Sequence, residues 1–198
     1  MARAALSDSA LAAFRSKTVE AATRLFAARG YAAVTMRAIA AELGTSAMAP
    51  YRYFENKAEI FACVRAAAHG RFADAQEAAF RSSDDPLGRL LSMRDAYVRF
   101  ALEHPDEYRV MFELAQEPEE RYPFLGEQSH RSFESLRAAA ALAVEAGVIA
   151  GEPFAVAHQL WANVHGLVTL HLAGKLTLGM GLEELLATPP LHFEDAAR

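Results

Sequence analysis

Thr45–Lys57 reads TSAMAPYRYFENK. Pro50 stands in the middle of what otherwise reads as a short aromatic and basic helix. A proline inside a helix costs ~3 kcal/mol or more, because it loses a hydrogen bond and clashes with the preceding turn. Tyr51, Arg52, Tyr53, Phe54 and Lys57 follow within seven residues. A helix breaker beside residues suited to contact needs a reason, and the flanking sequence supplies one. With Ser46 (or Thr45) as N-cap, Pro50 falls in the first turn, where its missing N–H would have bonded only to the cap carbonyl. The proline then stiffens the start of a two-turn helix ending near Tyr53, with Ala49 pushed away from helical angles.

Two helices precede this one. Leu11, Phe14, Thr18, Ala22, Leu25 and Phe26 make one stripe on a helix over Ser9–Arg29, and Gly30 stands where a left-handed C-cap is wanted. Thr35 caps a short helix carrying Met36, Ile39, Ala40 and Leu43, which ends at Gly44. Helix, short helix, glycine-containing turn, short helix is the helix-turn-helix layout. Its second short helix lays its N-terminal residues against base edges in the major groove.

The charge is distributed to match. The chain of 198 residues carries a formal −5. Residues 1–60 hold eight Lys or Arg and five acids, for +3, so the remainder carries −8. A basic head on an acidic body suits a polyanion met by the head alone.

The remaining sequence is also helical. Apolar residues make up 53% of the chain, alanine is abundant, and no useful length alternates with period two. Asn56, with Glu59 three residues on, caps a helix to about Arg81. SSDDP at Ser82–Pro86 and HPDE at His104–Glu107 each open another helix, with proline at the first position or acids in the first turn. EPEERYP at Glu117–Pro123 is a break before a long helix that stops at Gly147. Pro153 opens the next helix. The tail from Met180 holds one short piece ending at Pro189–Pro190. The expected architecture is all-α, with about nine helices: a helix-turn-helix DNA-binding domain over residues 9–56 and a regulatory helical bundle over 57–198.

Pro153–Gly174 is free of formal charge. Its length could span a bilayer, but His158, Gln159, Asn163, His165 and His171 are costly in lipid. It reads as a helix buried on more than one side, by its own bundle and by the same helix of a second subunit across a two-fold axis. The long helix before it, about Ser132–Ala146, completes a four-helix contact. The single cysteine, Cys63, cannot form an internal disulfide. That suits a reducing cytoplasm. The N-terminus lacks the apolar stretch of a signal peptide.

Met93, Tyr97, Phe100, Tyr108, Met111 and Phe112, closed by Trp161 and His165, are the candidate pocket for a small apolar or aromatic effector. Trp161 and His165 are four apart and share a helix face. His158 and His165 are seven apart and offer a rival reading as a helical metal-dependent enzyme. However, that helix carries no carboxylate and no close His pair at the i, i+4 spacing of helical zinc sites. No phosphate loop, nucleophile triad or cysteine cluster appears, so neither catalytic residues nor cofactors are expected. A constitutive dimeric DNA-binding protein without an effector is the remaining alternative.

Ala21–Ile60, AATRLFAARGYAAVTMRAIAAELGTSAMAPYRYFENKAEI, resembles the DNA-binding domain of TetR/AcrR-type transcriptional regulators. The likeness lies in Leu25–Phe26, Gly30–Tyr31, Thr35, Ile39–Ala40, Gly44 and above all Tyr51-x-Tyr53-Phe54-x-x-Lys57. It covers a fifth of the chain. WANVHG at Trp161–Gly166 is similar to the Trp…His-Gly signature of one regulatory-domain subgroup, in which MAPYRYF also looks typical.

The resemblance implies a dimeric, ligand-released repressor on a palindromic operator. It implies phosphate contacts from Thr35, Tyr51, Tyr53 and Lys57, and a phosphate or guanine contact from Arg37. Arg52 faces outward beside them, and Ala47, Met48 and Ala49 take the base-facing places. Those three side chains can touch thymine methyls but cannot make bidentate bonds to guanine or adenine. Readout therefore falls to Arg37, Arg52, Ser46 and DNA shape.

Overall fold

The computed structural model describes residues 8–112 and 121–188, and every regular element among them is helical. The elements are α1 (Asp8–Ala33), α2 (Met36–Glu42), a 3₁₀ turn (Pro50–Arg52), α3 (Lys57–Arg81), α4 (Pro86–Glu103), α5 (Pro105–Phe112), α6 (Pro123–Glu145), α7 (Pro153–Leu172) and α8 (Leu182–Ala187). The Glu117–Pro123 break and the Pro189–Pro190 stop lie partly or wholly outside the described residues.

Local chemistry sets most boundaries. The Thr35 hydroxyl accepts from the Ala38 N–H at 3.1 Å, and Asn56 Oδ1 accepts from the Glu59 N–H at 3.0 Å. Asp85 Oδ2 accepts from the Gly88 N–H at 2.6 Å. The Glu152 carboxylate accepts from the Phe154 and Ala155 N–H groups at 3.0 and 2.9 Å. Each satisfies a donor that the first turn leaves without a partner. Those two bonds, in that order, hold the Glu152 carboxyl below its ordinary range. Pro86, Pro105, Pro123 and Pro153 each stand first in a helix, where the missing N–H costs nothing.

Two expectations need correction. Gly30 has φ 75°, as foreseen, but ψ 162°. That lies outside the left-handed helical well, so the glycine kinks α1 and the chain makes one more turn, to Ala33. The expected two-turn helix from Ser46 to Tyr53 is only the 3₁₀ turn Pro50–Arg52, with no side-chain cap. Ala49 is right-handed helical, φ −63° and ψ −46°, rather than extended. Its N–H bonds to the Ser46 carbonyl at 2.9 Å, and its carbonyl accepts from Arg52 at 3.2 Å. Pro50 thus becomes the first residue of the turn, not the fourth of a helix. In one protomer, α7 is buried on one side only. Val156, Ala157, Val164 and Val168 are buried, while Phe154, Ala155, His158, Gln159, Ala162, Asn163 and Leu170 are exposed.

One core joins front to back. Phe26, Ile39, Phe54, Ile60 and Phe61 pack in the head, and the same cluster runs along α3 through Phe72 to Tyr97, Tyr108 and Val168. Each fully buried aromatic or aliphatic side chain contributes about 1.5–3 kcal/mol. α3 belongs to both ends, which is what fixes the head to the body.

Candidate nucleic-acid interface

The front surface is built on the turn between α2 and α3. Gly44, at φ 63°, closes α2: its N–H bonds to Ala41 O at 3.0 Å, and the Thr45 N–H to Ala40 O at 2.9 Å. A left-handed residue is needed there, and glycine supplies it without strain. Residues 45–48 then pass over the surface. Thr35, Arg37, Thr45, Ser46, Ala47, Met48, Tyr51 and Arg52 are exposed, Ala49 is half-buried and Pro50 is buried. Met48 is 67% exposed and Tyr51 49%. Arg37 and Arg52 engage no carboxylate among the described residues; both are exposed, with the Arg52 guanidinium 5.8 Å from the Tyr53 ring centroid. Arg24, by contrast, is matched by Glu20 at 3.0 Å and Glu42 at 3.6 Å.

Arg15 holds this segment. Its guanidinium donates to the Tyr53 carbonyl and to Glu59 Oε1 (3.2 Å), and lies 4.2 Å from the Phe54 ring centroid. Glu59 Oε2 in turn accepts from the Glu55 N–H at 2.7 Å. Phe14 stacks on Tyr53 with ring centroids 4.2 Å apart. Arg15 and Phe14 were not among the site residues foreseen. The signal in the sequence is a cation beside the apolar stripe of α1, able to lay its stem along apolar surface with its head at the rim. Cys63 lies under the same clamp, its Sγ 3.7 Å from Arg15. Burial pushes its thiol pKa up, against the opposing pull of Arg15.

Two expected phosphate ligands have internal engagements. Tyr53 is half-buried against Phe14. Lys57 donates to the Tyr31 carbonyl at 2.8 Å and sits 4.1 Å above the Tyr31 ring. It ties the start of α3 to the kinked end of α1.

The body residues also converge. Tyr97 and Tyr108 hydroxyls lie 2.9 and 2.8 Å from His165 Nδ1, and Thr169 Oγ1 lies 3.5 Å from His165 Nε2. Phe112 packs edge-on to His165 at 5.0 Å and contacts Trp161 at 6.3 Å. Phe100 joins through Phe72, at 5.2 Å. Met111 is buried in the same core, while Met93 lies at the α3–α4 seam, its carbonyl accepting from Gln76 at 3.2 Å. Burial, then the neighbouring Tyr108, pushes the Tyr97 pKa up, so its hydroxyl stays protonated. His158 is exposed on α7, its Nδ1 2.9 Å from the Phe154 carbonyl and its ring 4.6 Å from Phe133 and 6.4 Å from Trp161. Trp161 lies between it and His165. No helix among the described residues is long and apolar enough to cross a membrane.

α5 lies between cluster and head. Tyr108 meets His165. One residue on, Arg109 donates to the Ala27 carbonyl on α1 at 2.6 Å, and Glu107 pairs with Arg71 at 2.7 Å.

Comparison with known proteins agrees with this layout. Residues 19–64 match the family described as bacterial regulatory proteins, tetR family. Residues 90–188 match a tetracyclin repressor-like C-terminal domain. No curated protein matches the chain. Among solved structures, a protein of unknown function from Rhodococcus sp. RHA1 superposes with a TM-score of 0.75 at 24% identity, over 87% of this chain and 89% of that one. The fatty acid degradation regulator FadR from Bacillus halodurans does so with 0.73 at 16%, over 87% and 90%. The TetR family transcriptional regulator PfmR from Thermus thermophilus gives 0.68 at 25%, over 85% and 92%. Regulators of this family bind DNA and act as dimers. With a helix-turn-helix head, a helical C-terminal domain and both family matches in register, the chain belongs to the tetR family of bacterial regulatory proteins.

Proposed function

We propose that this chain is a cytoplasmic, ligand-released repressor that binds a palindromic operator as a homodimer. Residues 9–56 are its DNA-binding domain, and residues 57–198 form the regulatory domain. The observation that carries the reading is the exposed stretch 45–48, with Tyr51 and Arg52 beyond it, on a head of net positive charge, followed directly by Tyr53, which Arg15 holds together with Glu59. Arg37 on α2 and Arg52 in the 3₁₀ turn engage no carboxylate among the described residues. Thr35, Tyr51 and the two arginines suit phosphate oxygens, with Tyr53 and Lys57 joining if DNA draws them from Phe14 and Tyr31.

The second subunit covers the outer face of α7. Uncharged residues recur there at Phe154, Ala155, His158, Gln159, Ala162, Asn163 and Leu170, spacings that fall on one side of a helix. The WANVHG segment, which resembles the Trp…His-Gly subgroup, puts Trp161 and His165 on the inner edge of the same helix.

The effector is a small apolar or aromatic molecule taken up at the Tyr97–Tyr108–His165 cluster, in competition with its internal hydrogen bonds. Its binding favours one arrangement of α5, and Arg109 carries that preference to α1. Affinity for DNA then falls by population shift.

The test is selection of bound fragments from random DNA, then titration of the winner against salt and against a library of small apolar ligands. A palindromic winner, a steep salt slope and release by one ligand class support the reading. Palindromic binding that no ligand weakens leaves a constitutive regulator. Binding that stays at the non-specific level removes the proposed function.

A further inference from the structure

We propose that Met48 is a specificity-determining residue of the head, beside Arg37, Arg52 and Ser46, and that it reads thymine C5-methyl groups in the major groove. The inference rests on the DNA-binding reading above and names what that surface reads.

Met48 is 67% exposed, more than Leu11 at 42% or Tyr51 at 49%, the other large apolar side chains exposed in the described head. Its nearest neighbours along the chain, Ala47, Ala49 and Pro50, carry no polar side chain, and the exposed Ser46 and Tyr51 lie on either side of them. The two alanines are short, so the backbone can come close to DNA and the long thioether reaches furthest. Arg37 and Arg52, both exposed, supply the charge complementarity that draws this surface to a polyanion.

The base edges leave one suitable partner. The floor of the major groove is a pattern of donors and acceptors, and its one apolar feature is the thymine methyl. Pressing an apolar side chain on donors or acceptors strips their water and returns no hydrogen bond. Pressing it on a methyl removes apolar surface from water on both sides. Methionine also suits an irregular contact, being unbranched and polarisable. Sequence preference at the base under Met48 is therefore for A·T with thymine on the contacted strand. It rests on shape and apolar burial rather than on hydrogen bonding.

The experiment uses the full-length protein and its selected fragment. Each thymine in turn is replaced by uracil, which removes the methyl and leaves the hydrogen-bonding pattern intact. Loss of one buried methyl corresponds to about fourfold in affinity per half-site, and about fifteenfold when both half-sites are replaced. The wild type is expected to show this loss at one symmetric position. Met48→Ala should bind the thymine fragment with similarly reduced affinity and no longer distinguish uracil there. Met48→Leu, which stays apolar, should keep most of the discrimination. Wild-type affinity unchanged at every uracil position overturns the proposal while leaving DNA binding intact. So does a uracil penalty that survives in Met48→Ala. If the wild type enriches no fragment at all, the DNA-binding reading falls and the proposal falls with it.

Discussion

Replacing Arg15 by alanine tests whether the proposed DNA-facing surface is held by a clamp. Besides the long contact to Cys63 Sγ at 3.7 Å, three interactions are lost together. The hydrogen bond to the Tyr53 carbonyl has a charged donor, a class that contributes about 1.5–3 kcal/mol. The ion pair with Glu59 spans 3.2 Å with side chains 37% and 23% exposed, so screening holds it to about 0.2–1 kcal/mol. The guanidinium over Phe54 at 4.2 Å adds about 0.5–1 kcal/mol. These share one side chain and do not add fully, so about 2–3 kcal/mol is the expected cost. In a chain of 198 residues that corresponds to a melting temperature lower by roughly 4–12 °C. Hydrogen exchange locates the effect. The Tyr53 and Phe54 amides, both bonded to the Pro50 carbonyl, should lose more protection than Val164 in α7. DNA affinity should fall while its salt slope stays unchanged, because a clamp contributes order rather than a phosphate contact. Arg15→Lys should recover only part, since an ammonium keeps the ion pair but not the fork. An Arg15→Ala protein with wild-type melting, wild-type protection at residues 53 and 54 and wild-type affinity would refute the clamp.

Three further outcomes are expected. Lys57→Ala should lower thermal stability by about 1–2 kcal/mol, through loss of the charged bond to Tyr31; if it instead leaves melting unchanged and reduces the salt slope of DNA binding by about one, Lys57 is a phosphate ligand only. Phe154→Asp, on the outer face of α7, should shift sedimentation toward the monomer while leaving helicity by circular dichroism intact, and a dimer of undiminished stability removes that face from the interface. Tyr97 carries a folded-state pKa raised by burial, so its contribution to stability is fully present below the ordinary tyrosine value near 10 and is lost as pH rises beyond it. Alkaline unfolding should accordingly be less steep in Tyr97→Phe than in the wild type, and identical pH profiles would show that this hydroxyl is not what titrates.

Much of the fold is encoded locally. Thr35, Asn56 and Asp85 cap α2, α3 and α4 through bonds that close within three residues. Prolines open four helices, and Gly44 closes α2. Such features depend on neighbours along the chain, so sequence reading finds them. The convergence of Tyr97, Tyr108, Phe112, Trp161 and His165 was legible in the same way, because each sits on the apolar side of a periodic helix and those sides share one core.

What the sequence could not state is which favourable option wins where distant segments compete. Ala49 is helical in spite of the proline after it, and Tyr53 turns to Phe14 rather than outward. Lys57 directs its charge to a carbonyl 26 positions earlier in the chain. Arg15 reaches the Tyr53 carbonyl across 38 positions, with no periodicity to announce it. Periodicity determined which elements form and which faces are apolar. Only the tertiary structure decided where the polar and aromatic tips go, because a hydrogen bond or a ring stack forms with whichever partner the packed backbone brings within reach.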